Sequence, residues 1–524
     1  MNSKQLTALL ALWEEGLSIR RVTCRFDLSR SPPVDGRQDD RRRPARARPA
    51  SISRLNYRLR CRAWLGALIL LLSAFAVAEP RNAPRNPWKT HQEPQQKPEA
   101  GDAEPQAPSA PEESKQKPEP SVFQQLARDP KTRRSGRPPG DGWIPVPGTN
   151  TEVRFGGLVQ ANFIHDFENT GFPFGDFIPS HIPVPTDDTP NTEFDPRTSR
   201  LTFESQTNVE EYGSVHAMVS MDFAGSAQQG SVQPRLRQAY VSWVGVKTKA
   251  AFTVGQSWST FLDLGVWPDI FDLEGPNAMT GSRQGLVRGS YAFDDAKRLV
   301  GDLAVEQPES DVEGGTGLTS LPDLVARINR QRDWGHLQVA AIGRQLIAES
   351  TTGTGRDSDF GWGLSLSGRL NVPGTKRQSP LADERGSYLG WGPRQDNVRF
   401  QIQGGAGIGR YVFDLGGAGG QDAVYDAATA QLTPLEEVGA FGAYEHWWAD
   451  RWRSTLVGGV VRIDNQATQP STALKETIYA VANLVYRPFN RMDVGIEYYW
   501  GQRENKDGDT GDANRLMISV SYGF

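Results

Sequence analysis

Apolar and polar residues alternate one by one in many short stretches of the chain after residue 143. In one such stretch, Leu364 and Leu366 alternate with Ser365 and Ser367. Side chains of a β-strand point to opposite faces in turn, so this alternation predicts strands with one apolar and one polar face. We count about sixteen such stretches, with centres near residues 158, 204, 219, 240, 253, 288, 302, 327, 340, 366, 402, 442, 457, 482, 497 and 519.

The connections between these stretches alternate between short and long. One link, residues 372–396, breaks the alternation because it is long where a short turn is expected, and we interpret it as an insertion. Short turns on one rim and long loops on the other are typical of a barrel that crosses a bacterial outer membrane. The predicted long links are residues 166–197, 224–233, 258–283, 307–320, 347–358, 413–436, 463–474 and 502–513.

The chain ends in LMISVSYGF, an alternating strand that finishes on an aromatic residue, Phe524. A soluble β-sandwich is the alternative fold, but it would bury its apolar face against a second sheet and would rarely carry aromatic residues at strand ends. We therefore predict an all-β fold: a transmembrane, antiparallel, up-and-down β-barrel of about sixteen strands over residues 146–524. A terminal Phe524 resembles the recognition signal of outer-membrane proteins and makes the barrel-assembly machinery an expected partner.

The targeting signal lies at residues 54–78, RLNYRLRCRAWLGALILLLSAFAVA. Four arginines precede a short apolar core, and Ala76-Val77-Ala78 supplies the small-x-small cleavage pattern, which together predict a signal peptide. A membrane anchor is the alternative, although the core is short for a span of about 20 apolar residues. Residues 1–53 have no folding period, and we interpret them as unstructured and as the sign of a start placed too early, with a long n-region as the alternative.

Residues 79–145 are dominated by Pro, Gln, Glu, Lys and Ala. This composition cannot bury enough apolar surface to offset the entropy lost on ordering, so it predicts a disordered segment, which we place in the periplasm. Both cysteines, Cys24 and Cys61, precede the predicted cleavage point, so the mature chain would contain none. That excludes thiol catalysis and cysteine-ligated metals, and we expect no metal and no cofactor.

The overall charge and hydropathy exclude two further classes. A mean hydropathy of −0.53 argues against a bundle of membrane helices but not against a barrel, in which only alternate residues face lipid. A net charge of −4, with no basic stripe in the body of the chain, argues against nucleic-acid binding. The six histidines form no recognisable Ser/His pair, and neither an HExxH nor a GxSxG pattern occurs, so we do not expect an enzyme. His165-Asp166 is more consistent with a surface pair than with a catalytic dyad.

Several stretches resemble the DcaP-like porins. They are SRLTFESQTN (199–208), RQAYVSWVG (237–245), VGQSWSTF (254–261), GAGIGRYV (405–412) and NRMDVGIEYYWGQRE (490–504). The resemblance spans residues 150–524 and implies a sixteen-stranded, trimeric outer-membrane channel for anionic compounds such as dicarboxylates or similar aromatic acids. Members of the family often carry a periplasmic coiled coil before the barrel. Here the corresponding stretch is rich in Pro and lacks heptads. Phosphate-selective porins are the nearest competing likeness.

Our strand phases place a set of arginines on the polar, inward faces. A guanidinium remains charged at physiological pH, and its fork donates two parallel hydrogen bonds to a carboxylate or phosphate. The alternative for each arginine is a wall residue paired with a neighbouring carboxylate, because inward acids also occur. The candidate pore and solute-binding residues are Arg154, Arg200, Arg288, Arg327, Arg344, Arg369 and Arg399.

The third long link, residues 258–283, is unusually apolar for a surface loop. Folding into the lumen, where it would narrow the pore, explains this composition, and contact with another subunit is the alternative. Its acids could then face inward arginines. The candidate constriction residues are Asp263, Trp267, Asp269, Asp272 and Glu274.

These observations together predict a channel for passive diffusion of small hydrophilic, anionic solutes. The expected partners are outer-membrane lipid, small anionic solutes and two further copies in a homotrimer. A phosphate-selective or a general porin is the alternative function, and a non-conducting barrel that serves as an adhesin or an enzyme is a further one. The inward positions are largely small and polar, Ser and Gly above all, which argues against a sealed core.

Overall fold

The structure is a computed structural model that describes residues 142–524, apart from 173–174, 226–231, 246, 273, 352–354 and 378–393. The described residues form a barrel of sixteen strands, numbered here in chain order: β1 Thr151–Asp166, β2 Arg200–Val209, β3 Gly213–Asp222, β4 Arg235–Val244, β5 Ala250–Trp258, β6 Arg283–Ala292, β7 Leu299–Glu306, β8 Asp323–Arg332, β9 Gly335–Glu349, β10 Arg356–Asn371, β11 Asn397–Ala406, β12 Glu436–Ala449, β13 Trp452–Asp464, β14 Leu474–Tyr486, β15 Met492–Asn505 and β16 Thr510–Gly523.

The barrel is closed and antiparallel throughout. Each strand pairs with the next along the chain, and β16 pairs with β1 in a ladder that runs from Leu158 opposite Gly523 to Asp166 opposite Arg515. All sixteen predicted strand centres lie within these strands. The prediction of a sixteen-stranded, up-and-down barrel is therefore confirmed.

The two faces of each strand differ as the alternation predicted. On β10, Trp362 and Leu364 are exposed on the outside, whereas Ser365 and Ser367 are buried on the inside. On β1 the outer side chains include Phe155, which is 67% exposed. An apolar exterior around a polar interior is the arrangement that a barrel surrounded by lipid requires.

Short connections lie at one rim of the barrel, which we call the short-turn rim, and long ones lie at the other, the long-loop rim. The predicted link 413–436 begins too late, since the connection starts at 407, and two other predicted long links are too long, since β9 and β10 leave only 350–355 between them and β15 and β16 leave only 506–509. The error has a physical cause: polar residues such as Glu504, opposite Thr510, still extend the ladder, because backbone pairing does not need apolar side chains. The connection between Asn371 and Asn397 is long, as predicted.

Several shorter strands and helices lie outside the sixteen strands of the barrel. Trp143–Pro145 and Asn191–Asp195 pair with β1, Thr316–Leu318 pairs with β9, and Val312–Glu313, Ala423–Asp426 and Gln431–Pro434 form a separate small sheet. The described helices are Pro179–His181, Glu210–Tyr212, Leu264–Val266 and Gly409–Tyr411, all 3₁₀, and one α-helix, α1, Phe413–Ala418.

Among the described residues, no helix is both long and apolar enough to cross a membrane. The predictions for residues 1–53 and 54–78, and nearly all of those for 79–145, concern residues outside the described part of the chain.

Three long connections pack against the inward face of the wall. They are L1 (residues 167–199), L3 (259–282) and L6 (407–435). Leu262 and Met279 of L3 join Phe413 of L6 and Val461 of β13 in one buried cluster. A second cluster joins L1 and L3 to β14, β15 and β16 and contains, among others, Phe177, Ile182, Phe271, Tyr479, Tyr499 and Met517.

Candidate channel interior

L3 descends through the interior of the barrel from one rim to the other. It leaves Trp258 at the long-loop rim, and Asp263 then accepts hydrogen bonds from two wall residues of the opposite, short-turn end. Nε2 of His336, the second residue of β9, lies 2.9 Å from Oδ2 of Asp263, and Oγ of Ser367 on β10 lies 2.6 Å from the same oxygen.

The loop then follows the inner wall back to the long-loop rim. Asp269 forms an ion pair with Arg453, the second residue of β13, and the backbone N–H of Phe271 donates to Glu497 on β15 at 3.0 Å. Further on, Nδ2 of Asn277 donates to Thr477 near the start of β14. L3 therefore lies inside the barrel, as its apolar composition predicted, while its action as a constriction remains a prediction.

Two glycines allow L3 to lie this close to its neighbours. A Cβ added to Gly265 would come within 2.4 Å of the His336 ring, and one added to Gly281 within 2.6 Å of the Phe413 ring. Asp263 also caps the short helix Leu264–Val266 by accepting from the backbone N–H of Gly265 at 2.9 Å. Local backbone geometry and wall contacts thus fix the same segment.

The predicted constriction residues make different contacts from one another. Asp263 pairs with His336 and Asp269 with Arg453, neither of which is among the predicted arginines. Trp267 accepts through its backbone oxygen from Arg399. Asp272 accepts from the backbone N–H of Phe177 (3.4 Å) and of Glu274 (3.0 Å). Glu274 lies beside a separate group of arginines, described below.

Within the part of the barrel that the structure describes, four of the seven predicted pore arginines form ion pairs with carboxylates of the wall or of a loop, which is the alternative that the sequence left open. Arg344 is the most buried of them, at 2% exposure, and it also lies 3.4 Å from Asp323. The pairs are Arg154 with Glu204 (3.0 Å), Arg327 with Asp302 (2.7 Å), Arg344 with Asp422 (3.0 Å) and Arg399 with Glu445 (2.8 Å).

The other three lie far apart on inward positions. Arg200 is buried and stands opposite Asp222 in the ladder of β2 and β3, and Arg369 stands opposite Arg399 between β10 and β11. Arg288 lies on β6, next to the outward-facing Val287. The predicted arginines are therefore distributed around and along the wall, and their contact with solute remains a prediction.

A cavity of about 320 Å³ lies at the long-loop rim, which we call the mouth cavity. Its wall is formed where β3, β4, β5 and β6 meet the rim, by Asp222, Arg235, Arg237, Trp258 and Arg283. The loops that line it contribute, among others, Asp176 from L1, Glu274 from L3, and Arg410, Val412 and Phe413 from L6. Four guanidinium groups and three carboxyl groups thus surround one small space.

The carboxylate of Asp222 holds two of these arginines. Arg235 donates to it through Nε at 3.0 Å and Nη2 at 2.8 Å, and Arg237 donates through Nη1. Asp222 is completely buried, and the hydrogen bonds from these charged donors replace the ones that its carboxylate would make with water. Arg283 is held differently, with its guanidinium carbon 5.0 Å from the centre of the Trp258 ring.

The two loop acids of the mouth cavity have raised pKa values. Burial, together with repulsion from Asp176, raises the pKa of Glu274 to about 7, although Arg283, Arg235 and Arg237 act in the opposite direction. Burial also raises the pKa of Asp176. Arg410 also lies 2.9 Å from Glu309, but the other three arginines still outnumber the ionised carboxyl groups of the cavity near neutral pH, because Glu274 is then partly neutral.

Arg235, Arg237, Arg283 and Arg410 were not among the residues that the sequence singled out. Arg283 closes the predicted link 258–283, and Arg235 and Arg237 stand between another predicted link and the strand centre at 240, so none was assigned to a face. The spacing of Arg235 and Arg237, two residues apart, places both on one face of a strand and was the available signal.

Neither a model of a known protein family nor a curated protein sequence matches this chain. Among solved structures, the outer membrane channel DcaP of Acinetobacter baumannii is similar, with 20% identity over 72% of this chain and 98% of that one and a TM-score of 0.59. A loop-deletion mutant of OmpT from Vibrio cholerae (12% identity, 72% and 100% coverage, TM-score 0.45) and an anion-selective porin from Comamonas acidovorans (7%, 71% and 100%, 0.45) also align. The resemblance to DcaP that the sequence predicted is confirmed for the fold.

Proposed function

We propose that this chain is an outer-membrane channel for the passive diffusion of small hydrophilic solutes, with a preference for anions. The observation that carries the proposal is the mouth cavity, where four guanidinium groups line a space inside a closed barrel. Transport through such a protein requires a wet lumen and an electrostatic field rather than catalytic groups.

The distribution of L3 contacts supports a remaining passage along one side of the barrel. L3 contacts the inward residues of β7 to β15 and of β1, for example Glu306 on β7, Glu497 on β15 and Gln160 on β1. The mouth cavity lies on the side of β3 to β6, where the partly exposed Tyr240, Arg288 and Ser290 also face inward. Solute would follow this polar wall towards the short-turn rim.

The preference for anions follows from the arrangement of charges at the entry. An arginine offers two parallel hydrogen bonds to a carboxylate and remains charged at every physiological pH. The opposing acid Glu274 has a pKa raised to about 7 and therefore counters the arginines only in part. Small mono- and dicarboxylates, including aromatic acids, are the solutes that we propose.

The setting that we propose is the bacterial outer membrane. The exposed apolar band would face lipid, the long loops would face the outside and the segment before the barrel would lie in the periplasm. We further propose a homotrimer, and assembly that depends on Phe524, whose ring lies against the backbone of Gly157.

Swelling of liposomes tests passage directly. Vesicles that contain the refolded protein should swell when they are diluted into isotonic solutions of small sugars or of sodium succinate, and faster in succinate than in a sugar of similar size. Vesicles without protein are the control. A barrel that is folded but permits no swelling in either solute would contradict the proposal and favour a non-conducting barrel.

A further inference from the structure

We propose that the mouth cavity is a binding site for a carboxylate-bearing solute and that Arg283 is the residue that contacts its anionic group. The inference rests on the proposed function and deepens it, because it distinguishes one specific ligand-binding arginine from those that only contribute charge.

Two of the arginines on the cavity wall already have an anionic partner. Arg235 and Arg237 both donate to Asp222, which is completely buried and lies at the end of the preceding strand. A solute that took either guanidinium from Asp222 would leave that carboxylate buried with fewer donors, which is unfavourable. These two arginines are therefore expected to attract anions through their field without changing partner.

Arg283 has no such partner. Within the described residues it forms no ion pair, and its Nη1 is buried without a hydrogen-bond acceptor. Glu274 is close enough to influence it but is not bonded to it. The face of Trp258, at 5.0 Å, holds the guanidinium in place, and no hydrogen bond within the described residues uses its donors. A carboxylate that accepts two parallel hydrogen bonds would satisfy a group held in this way.

The rest of the cavity fits a small acid with some apolar surface. Its volume of about 320 Å³ is at the lower end of the range for ligand pockets. Val412 and Phe413 of L6 supply an apolar side, and Trp258 is itself in contact with Phe413, with ring centres 6.0 Å apart. Glu274 and Asp176 lie opposite the arginines. Their carboxyl groups would repel a ligand that carries several negative charges.

The test compares three variants with the wild type in detergent, with succinate as the probe and isothermal titration calorimetry as the readout. Arg283→Gln should raise the Kd for succinate by about tenfold or more, because a charged bidentate contact is lost. Arg235→Gln removes the same charge from the same cavity and should raise the Kd for succinate by less than about threefold. Arg283→Lys retains the charge but not the fork, and its Kd should lie between those of the wild type and Arg283→Gln.

Chloride preference, measured separately in planar bilayers, should fall in both glutamine variants, since both remove one positive charge. Circular dichroism confirms that each variant is a folded barrel. If Arg235→Gln weakens succinate binding as much as Arg283→Gln, or if the wild type does not bind succinate, the inference is wrong even when the protein conducts. If succinate binding depends on Arg283 but neither the wild type nor any variant conducts ions, the proposed channel function is wrong and the assignment of the binding site is supported.

Discussion

Nε2 of His336 lies 2.9 Å from Oδ2 of Asp263, and this contact joins L3 to the start of β9 at the short-turn rim. Both residues are buried, and a second bond from Ser367 reaches the same oxygen. The loop is therefore anchored at its deepest point by a charged group rather than by apolar packing alone.

Replacement of His336 by Ala should loosen this anchor. Asp263 would remain buried with one fewer donor, which costs on the order of 2–3 kcal/mol. We expect a corresponding loss of stability in urea-dependent folding into vesicles and larger fluctuations of single-channel current. His336→Gln, which can still donate one hydrogen bond, is the control and should recover part of both effects. Identical current noise in wild type and His336→Ala would show that the contact does not hold L3.

Deletion of residues 264–276 should raise single-channel conductance. This segment contains the part of L3 that runs from the short-turn rim back along the wall, and its removal would widen the passage. Circular dichroism must show an intact barrel, because Phe271 belongs to a buried cluster. Unchanged conductance in a folded deletion variant would count against L3 as a constriction.

The pH dependence of ion preference should depend on Glu274. Its pKa is raised to about 7, so the side chain is mostly ionised at pH 8 and mostly neutral at pH 6. As the pH falls through this range, the mouth cavity gains about one positive charge, and the ratio of chloride to potassium permeability should rise. The groups that face Glu274 are Asp176, Asp222, Arg235, Arg237 and Arg283.

Glu274→Gln is the matched variant for this measurement, because it has the size of glutamate and is neutral at every pH. Its permeability ratio should resemble that of the wild type at pH 6 and should change less between pH 6 and 8. Asp176→Asn, measured in parallel, gives the separate contribution of Asp176, the second acid with a raised pKa, to the pH dependence. A wild-type ratio that falls as the pH is lowered would contradict the assignment.

Arg344 should be important for stability rather than for ion preference. It is 2% exposed and lies between Asp323 and Asp422, which join the wall to L6. Arg344→Ala would take one charged partner from each of two buried carboxylates and should lower the free energy of unfolding by on the order of 3–5 kcal/mol. Arg330→Ala, at an exposed position of β8, is the control for the loss of an arginine. Equal stability of the two variants would refute a structural role for Arg344.

The strands and their faces could be predicted from sequence because alternation is a local property. Leu364 and Ser365 reveal opposite faces without any knowledge of the rest of the chain. The same holds for Arg327 and Arg344, which were assigned to the inside and lie there. The predicted ends of the strands were less accurate, because the backbone of a polar residue such as Glu504 pairs as readily as that of an apolar one.

The mouth cavity could not be predicted in this way, because its residues come from four strands and four loops. Asp176 belongs to L1 and Arg235 begins β4, and no local pattern indicates that L1 folds over the start of β4. The partner of Asp263 was missed for the same reason, since His336 is on a distant strand and the expected partner was an arginine. Contacts between loops and a curved wall depend on the closure of the whole barrel.

The most direct test of the account is the reversal potential of the purified protein in a planar bilayer across a KCl gradient. We predict a potential whose sign shows that chloride is more permeant than potassium, and a smaller potential for Arg283→Gln. A potential of the opposite sign, or a folded barrel that inserts without conducting, would contradict the proposal of an anion-preferring channel.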